Sequence, residues 1–178
     1  MAAVKTSIKG IVYAALFGAL TAAGAYIVIP LPPIPITAQT FFLYVASVLL
    51  GGSLGALSQF IYLMLGVVGL PVFAGGKAGI GVIFGPTGGY LLGFILAAFV
   101  IGKIAEVKKG AGIFWYIMAM LWGMLIIYFI GSLWLAATAR ITLNKALVIG
   151  ALPFIPGDII KILLAAIIAV RVKNRIKV

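Results

Sequence analysis

Cysteine and histidine are absent from this chain, and Glu106 and Asp158 are its only acids. Without cysteine there is no disulfide and no thiolate metal site. Without histidine, and with so few carboxylates, most acid–base and metal-assisted catalysis lacks its parts. No metal site and no resident cofactor are expected, and the chain reads as something other than an enzyme. Charge is scarce as well: 8% of the 178 residues are charged, against 65% hydrophobic. A soluble domain of this length needs far more polar surface to stay dispersed in water.

What is present is a series of long apolar blocks. In lipid the backbone must satisfy its own hydrogen bonds, so blocks of this length are expected to be helices. A membrane β-barrel would show segments of about ten residues alternating apolar and polar, a pattern the sequence does not carry. The formal net charge of +11 suggests nucleic acid at first sight. Lys and Arg, however, sit at the ends of the apolar blocks, where they meet lipid head groups. The expected class is an all-α membrane protein, one integral membrane domain over residues 1–178, with the bilayer and not nucleic acid as its environment.

The first block, about Ile8 to Ile29, follows Lys5 and Lys9. It is longer than the apolar region of a signal peptide, about 7–15 residues, and is read as a retained helix. Pro30, Pro32, Pro33 and Pro35 stop it, because proline lacks a backbone donor. A second block spans about Gln39 to Leu50, a glycine-rich turn covers 51–55, and a third block spans about Ala56 to Leu70. The long glycine-rich loop Pro71 to Gly89 leads to a fourth block, about Tyr90 to Gly102, and then a charged turn. The fifth block, Ile113 to Ala137, is the cleanest span, and Thr138 to Lys145 suggests a short surface helix. The sixth begins near Pro156.

Six spans put both termini on one side. That side collects Lys5, Lys9, Lys103, Lys108, Lys109, Arg171, Lys173, Arg175 and Lys177, against Lys77, Arg140 and Lys145 on the other. The positive-inside rule then places both termini in the cytoplasm, and the glycine-rich loop between the third and fourth spans outside. No internal repeat is visible, which weakens a secondary-transporter reading.

Three features carry candidate chemistry. Asp158 and Lys161 lie in Pro153-Phe-Ile-Pro-Gly-Asp-Ile-Ile-Lys161, where Pro156 suits the first helical position and Asp158 the first turn. Three residues apart, the two share a helix face. Charges inside a membrane cost roughly 2.5–3.5 kcal/mol each on insertion scales, so they face the interior and pair. A structural ion pair and a polar ligand site both satisfy that requirement. The glycine-rich loop lacks the Gly-x-x-x-x-Gly-Lys-Ser/Thr order of a phosphate loop, so no ATPase motif is present. A long apolar loop at membrane depth is tolerated where it is protein-buried or lines a cavity, with Phe73, Phe84 and Tyr90 as flat surfaces for a ring. The small residues of the first block, Ala14, Ala15, Gly18, Ala19, Ala22 and Ala23, permit close helix approach, within the chain or with a partner. Of Thr37, Gln39 and Thr40, Gln39 is the better pocket candidate, because Thr can bond back to its own helix.

The segments Pro33-Ile-Pro-Ile-Thr-Ala-Gln-Thr40, Gly69-Leu-Pro-Val-Phe-Ala-Gly-Gly76, Gly85-Pro-Thr-Gly-Gly-Tyr90 and 153–161 occur in order. Together they resemble the BioY family, the biotin-specific substrate-binding S components of energy-coupling factor transporters. The resemblance implies a multi-pass protein of a prokaryotic plasma membrane that captures biotin at high affinity. It implies as partners a transmembrane coupling subunit of the EcfT type and two cytoplasmic ATP-binding-cassette ATPases. The family's helix-one Ala-x-x-x-Ala docking pattern matches Ala15 and Ala19, and its polar pair matches Asp158 and Lys161. Gln39, Phe73, Gly75, Gly76, Lys77 and Tyr90 complete the expected biotin site. Some members carry an Asn in the loop near 75–77, which this chain lacks, leaving Lys77 or a backbone group in its place. The rival readings are a self-sufficient vitamin carrier or facilitator, a membrane-embedded enzyme, and a purely structural subunit.

Overall fold

Six apolar helices and two short ones account for most of residues 7–108 and 110–173, which the computed structural model of the protein describes. Helix α1 (Ile8–Gly24) is capped by Ser7, whose side chain accepts from the Gly10 N–H at 3.1 Å. It ends five residues before the apolar block does. Val28–Ile29 instead forms strand β1, pairing antiparallel with β2 (Ile36–Thr37) across the proline-rich loop. Helix α2 (Gln39–Leu50) has the expected bounds. Helix α3 (Gly52–Val67) starts earlier than expected, because Gly51 alone makes the turn, at φ 83°.

The glycine-rich loop is not featureless. It holds a 3₁₀ turn at Ala74–Gly76 and a one-turn helix α4 (Gly81–Phe84) before α5 (Gly88–Val107). Helix α5 takes in the expected charged turn as far as Val107, and α6 (Ile113–Ala139) follows. The expected surface helix is shifted to α7 (Leu143–Gly150): α6 runs on to Ala139, and Thr142 caps the next helix by accepting from the Lys145 N–H. A 3₁₀ turn at Leu152–Phe154 leads into α8 (Ile155–Val172), with Pro156 second in the helix rather than first.

Helices α5 and α6 and the stretch Leu143–Val172 are long and apolar enough to cross a membrane, while α1, α2 and α3 are shorter apolar helices. Their outer surface is apolar too. Phe114, Trp122, Leu125 and Phe129 all project outward from α6, as a helix apolar on every face does when its solvent is lipid.

Hydrogen bonds between distant segments gather at two ends. At one, Tyr26 donates to the Pro71 carbonyl, Trp134 Nε1 to Gly85 O at 3.0 Å, and Tyr90 Oη to Gly150 O at 2.9 Å. At the other, Glu106 Oε1 accepts from the Gly52 N–H at 2.8 Å and Trp115 Nε1 donates to Ile104 O at 2.9 Å. There too Lys173 Nζ donates to Val48 O at 2.6 Å, over the Tyr116 ring. Burial lowers the Lys173 ammonium pKa from its ordinary value, and the Glu106 carboxylate partly restores it. We call these the loop end and the basal end.

Between α1 and α3 the packing is close. A Cβ at Gly18 would stand 2.9 Å from the Ser58 carbonyl oxygen, so only glycine fits. Beside it Gln59 Nε2 donates to Thr21 Oγ1 at 3.3 Å and Ser58 Oγ at 3.0 Å, a buried polar seam between the two helices. Of the small residues in α1, Ala14, Gly18 and Ala22 are buried in the protein, while Ala15, Ala19 and Ala23 face outward.

Candidate functional site

A cavity at the loop end is lined by the proline-rich loop, the glycine-rich loop, the starts of α2, α5 and α8 and the middle of α6. The atom-free space in and around it, open solvent at the mouth included, is about 730 Å³. Ile34, Phe73, Val82, Leu91, Phe94 and Phe154 supply apolar wall, and the polar groups converge on one carboxylate.

That carboxylate is Asp158, 3% exposed and set by Pro156 in the first turn of α8, where free N–H groups favour negative charge. Its Oδ1 accepts from Lys161 Nζ at 2.8 Å and from Thr40 Oγ1 at 2.9 Å, and its Oδ2 from Tyr128 Oη at 2.6 Å. Lys161 Nζ also donates to Thr37 O at 2.6 Å and to Thr40 Oγ1 at 3.1 Å. A lysine has three donors, and all three are engaged.

A buried ion pair recovers its desolvation cost only when the remaining donors and lone pairs are also satisfied. Here they nearly are. A carboxylate offers about four acceptor sites, so three accepted bonds leave one on Oδ2. The site can therefore take an N–H donor at Asp158, which is held by charge-assisted bonds from α2, from α6 and from Lys161 on its own helix.

Asp158, Lys161, Gln39, Phe73, Lys77 and Tyr90 all line this cavity. Gln39 is buried, and half of its amide capacity is used: Nε2 donates to the Tyr62 hydroxyl, and Oε1 accepts from Thr37 Oγ1 at 2.8 Å. Tyr90 presents its ring while its hydroxyl turns away to Gly150. Phe73, 1% exposed, stands edge-on to Tyr62 with centroids 5.8 Å apart. Its ring fills a notch that a side chain at Gly66 would occupy.

Gly75 and Gly76 are off the wall. They form the turn, at φ 71° and 74°, that carries Ala74 and Lys77 to it. Phe84 is 68% exposed and outside the cavity. In the polar cluster the sequence reading placed Thr40 second and missed Tyr128. Thr40 ranked behind Gln39 because a threonine can bond to its own helix, yet its hydroxyl bridges both charges instead. Tyr128 lies in a strongly apolar block that also carries the hydroxyls of Tyr116, Ser132 and Thr138, so nothing in the sequence set it apart.

Comparison with known proteins agrees over the full chain. A family model described as the BioY family matches residues 1–178. The biotin transporter BioY of Thermotoga maritima is 44% identical over 166 residues, covering 93% of this chain and 96% of that protein. A probable biotin transporter BioY of Pyrococcus horikoshii is 45% identical over 166 residues, covering 93% and 97%. The crystal structure of the S-component for biotin from an ECF-type ABC transporter superposes with a TM-score of 0.86 at 30% identity, covering 98% of this chain and 95% of that one.

Proposed function

The chain belongs to the BioY family, and on that premise we propose that it captures biotin as the substrate-binding membrane subunit of an energy-coupling factor transporter. The Asp158 cluster carries this reading. Biotin has a ureido ring with two N–H donors and one carbonyl, an apolar sulfur ring and a carboxylate tail. The open acceptor site on Asp158 Oδ2 suits a ureido N–H. Tyr128, Thr40 and Lys161 hold the carboxylate in place, and the apolar walls cover the thiophane ring. Gln39 holds Tyr62 with one amide N–H and keeps the second for the ligand.

The membrane arrangement follows. Six spans, α1, α2, α3, α5, α6 and α8, run alternately, with both termini and the basal end in the cytoplasm and the loop end outside. The cross-links support this alternation. Thr40 meets Asp158 near the starts of α2 and α8, and Val48 meets Lys173 near their finishes, so the second and sixth spans run the same way. Lys103, Lys108, Arg171 and Lys173 fall at the basal end, as the positive-inside rule requires. Lys5, Lys109, Arg175 and Lys177 of that tally lie outside the described residues. The outward faces of Ala15 and Ala19 give a coupling subunit of the EcfT type a close approach, and two cytoplasmic ATPases supply the energy. The setting is a prokaryotic plasma membrane.

The test is a binding isotherm of the purified chain against a panel of small vitamins. Tight binding of biotin alone is expected. Failure to bind biotin, or equal binding of an unrelated vitamin, overturns the reading.

A further inference from the structure

The cavity holds three charged side chains, and only two of them answer each other. Asp158 and Lys161 are a pair, and the donors of Lys161 are all engaged. Lys77 lines the same cavity from the glycine-rich loop, is exposed, and has no ion pair or side-chain hydrogen bond among the described residues. The other acid, Glu106, is at the basal end with Lys103. One positive charge at the cavity's edge is thus unmatched.

Resting on the biotin reading, we propose that Lys77 is the specificity-determining residue that binds the carboxylate tail, while the Asp158 cluster binds only the uncharged ring. A carboxylate placed beside Asp158 meets a like charge, in surroundings where such repulsion is poorly screened. Lys161 has no donor left to offset it without breaking a bond to Thr37, Thr40 or Asp158. At Lys77 the opposite holds: an ammonium with three available donors lines the same cavity from an exposed position.

The backbone under Lys77 is fixed although its side chain is not. The Phe73 N–H donates to Lys77 O at 3.0 Å, and the Phe73 ring is sunk against Tyr62 and Gly66. The Gly79 N–H donates to Gly66 O at 2.8 Å on the other flank. Lys77 is therefore a movable charge on a held turn. It closes over a monoanion and leaves a neutral analogue uncompensated.

The experiment compares biotin with its carboxamide, biotinamide, on the full chain in nanodiscs, for the wild type, Lys77→Met and Lys77→Arg. A charged hydrogen bond of ordinary strength sets the scale at about tenfold or more. The wild type is expected to prefer biotin by at least that factor, with the preference shrinking as salt rises. Lys77→Met is expected to bind both compounds as the wild type binds biotinamide, and Lys77→Arg to keep most of the preference. Retained biotinamide affinity shows that the variant is folded. If the wild type binds biotin without preference, or Lys77→Met keeps the wild-type ratio, the assignment to Lys77 is overturned and biotin capture stands. If the wild type binds neither compound, biotin capture falls and this assignment falls with it.

Discussion

Thr40 and Asp158 stand 118 residues apart in the chain and 2.9 Å apart in space. The hydroxyl that joins them also receives Lys161, so one small side chain stitches α2 to α8 and mediates between opposite charges. Breaking either contact leaves a charged group one hydrogen bond short.

Asp158→Asn keeps the shape but loses the charge and leaves the Lys161 ammonium unpaired. Biotin affinity is expected to fall at least tenfold, about 1.4 kcal/mol. Calorimetry on the detergent-purified variant checks it, and unchanged affinity in a folded variant removes Asp158 from the site.

Thr40→Val is nearly isosteric and takes away one donor and one acceptor at once, whereas Tyr128→Phe takes away one donor. Each leaves a charged group short of a bond, at a cost of about 1–3 kcal/mol. Both variants are expected to bind biotin more weakly, with Thr40→Val also lowering the melting temperature. Wild-type behaviour from both variants would show that the cluster neither binds nor stabilises.

The charged half of that cluster was legible in the sequence and the hydroxyl half was not, for a physical reason. Asp158 and Lys161 announced themselves because two charges in an apolar segment have few tolerable places. Thr40 and Tyr128 are ordinary residues whose roles exist only once α2, α6 and α8 are packed. The helices were easier to read, since α2 and the start of α6 follow directly from proline, glycine and the change of hydropathy. The end of α1 was not, because residues 25–29 are as apolar as the helix before them. They leave it for a reason outside the helix: β2 offers Val28 and Ile29 backbone partners.

Ala15→Trp and Ala19→Trp place bulk on the outward face of α1 and are expected to leave biotin binding intact while preventing assembly with the coupling subunit. Gly18→Leu is the contrasting case. Its side chain drives into the Ser58 carbonyl, so it is expected to disturb the chain itself. Co-purification of the whole complex reports the first effect and thermal unfolding the second. Normal complex yield with both tryptophan variants would move the docking face elsewhere.

Phe73→Ala empties the notch at Gly66 and removes the edge-on contact with Tyr62. A buried Phe→Ala change costs about 3–5 kcal/mol, which is enough to free the loop from α3. Biotin is expected to dissociate at least tenfold faster, and trypsin to cut sooner at Lys77, the only basic residue in the loop. An unaltered off-rate together with unaltered cleavage would mean that the loop is held by something other than this ring.

Helix α8 is gripped at both tips, by Thr40 and Tyr128 at Asp158 and by the Val48 carbonyl at Lys173. Its 18 residues make a rod about 27 Å long at 1.5 Å per residue. A guest that tugs on the carboxylate therefore pulls on a shaft whose other tip is clasped to the end of α2. News of occupancy has a stiff mechanical route from the loop end to the basal end, needing no change of secondary structure on the way.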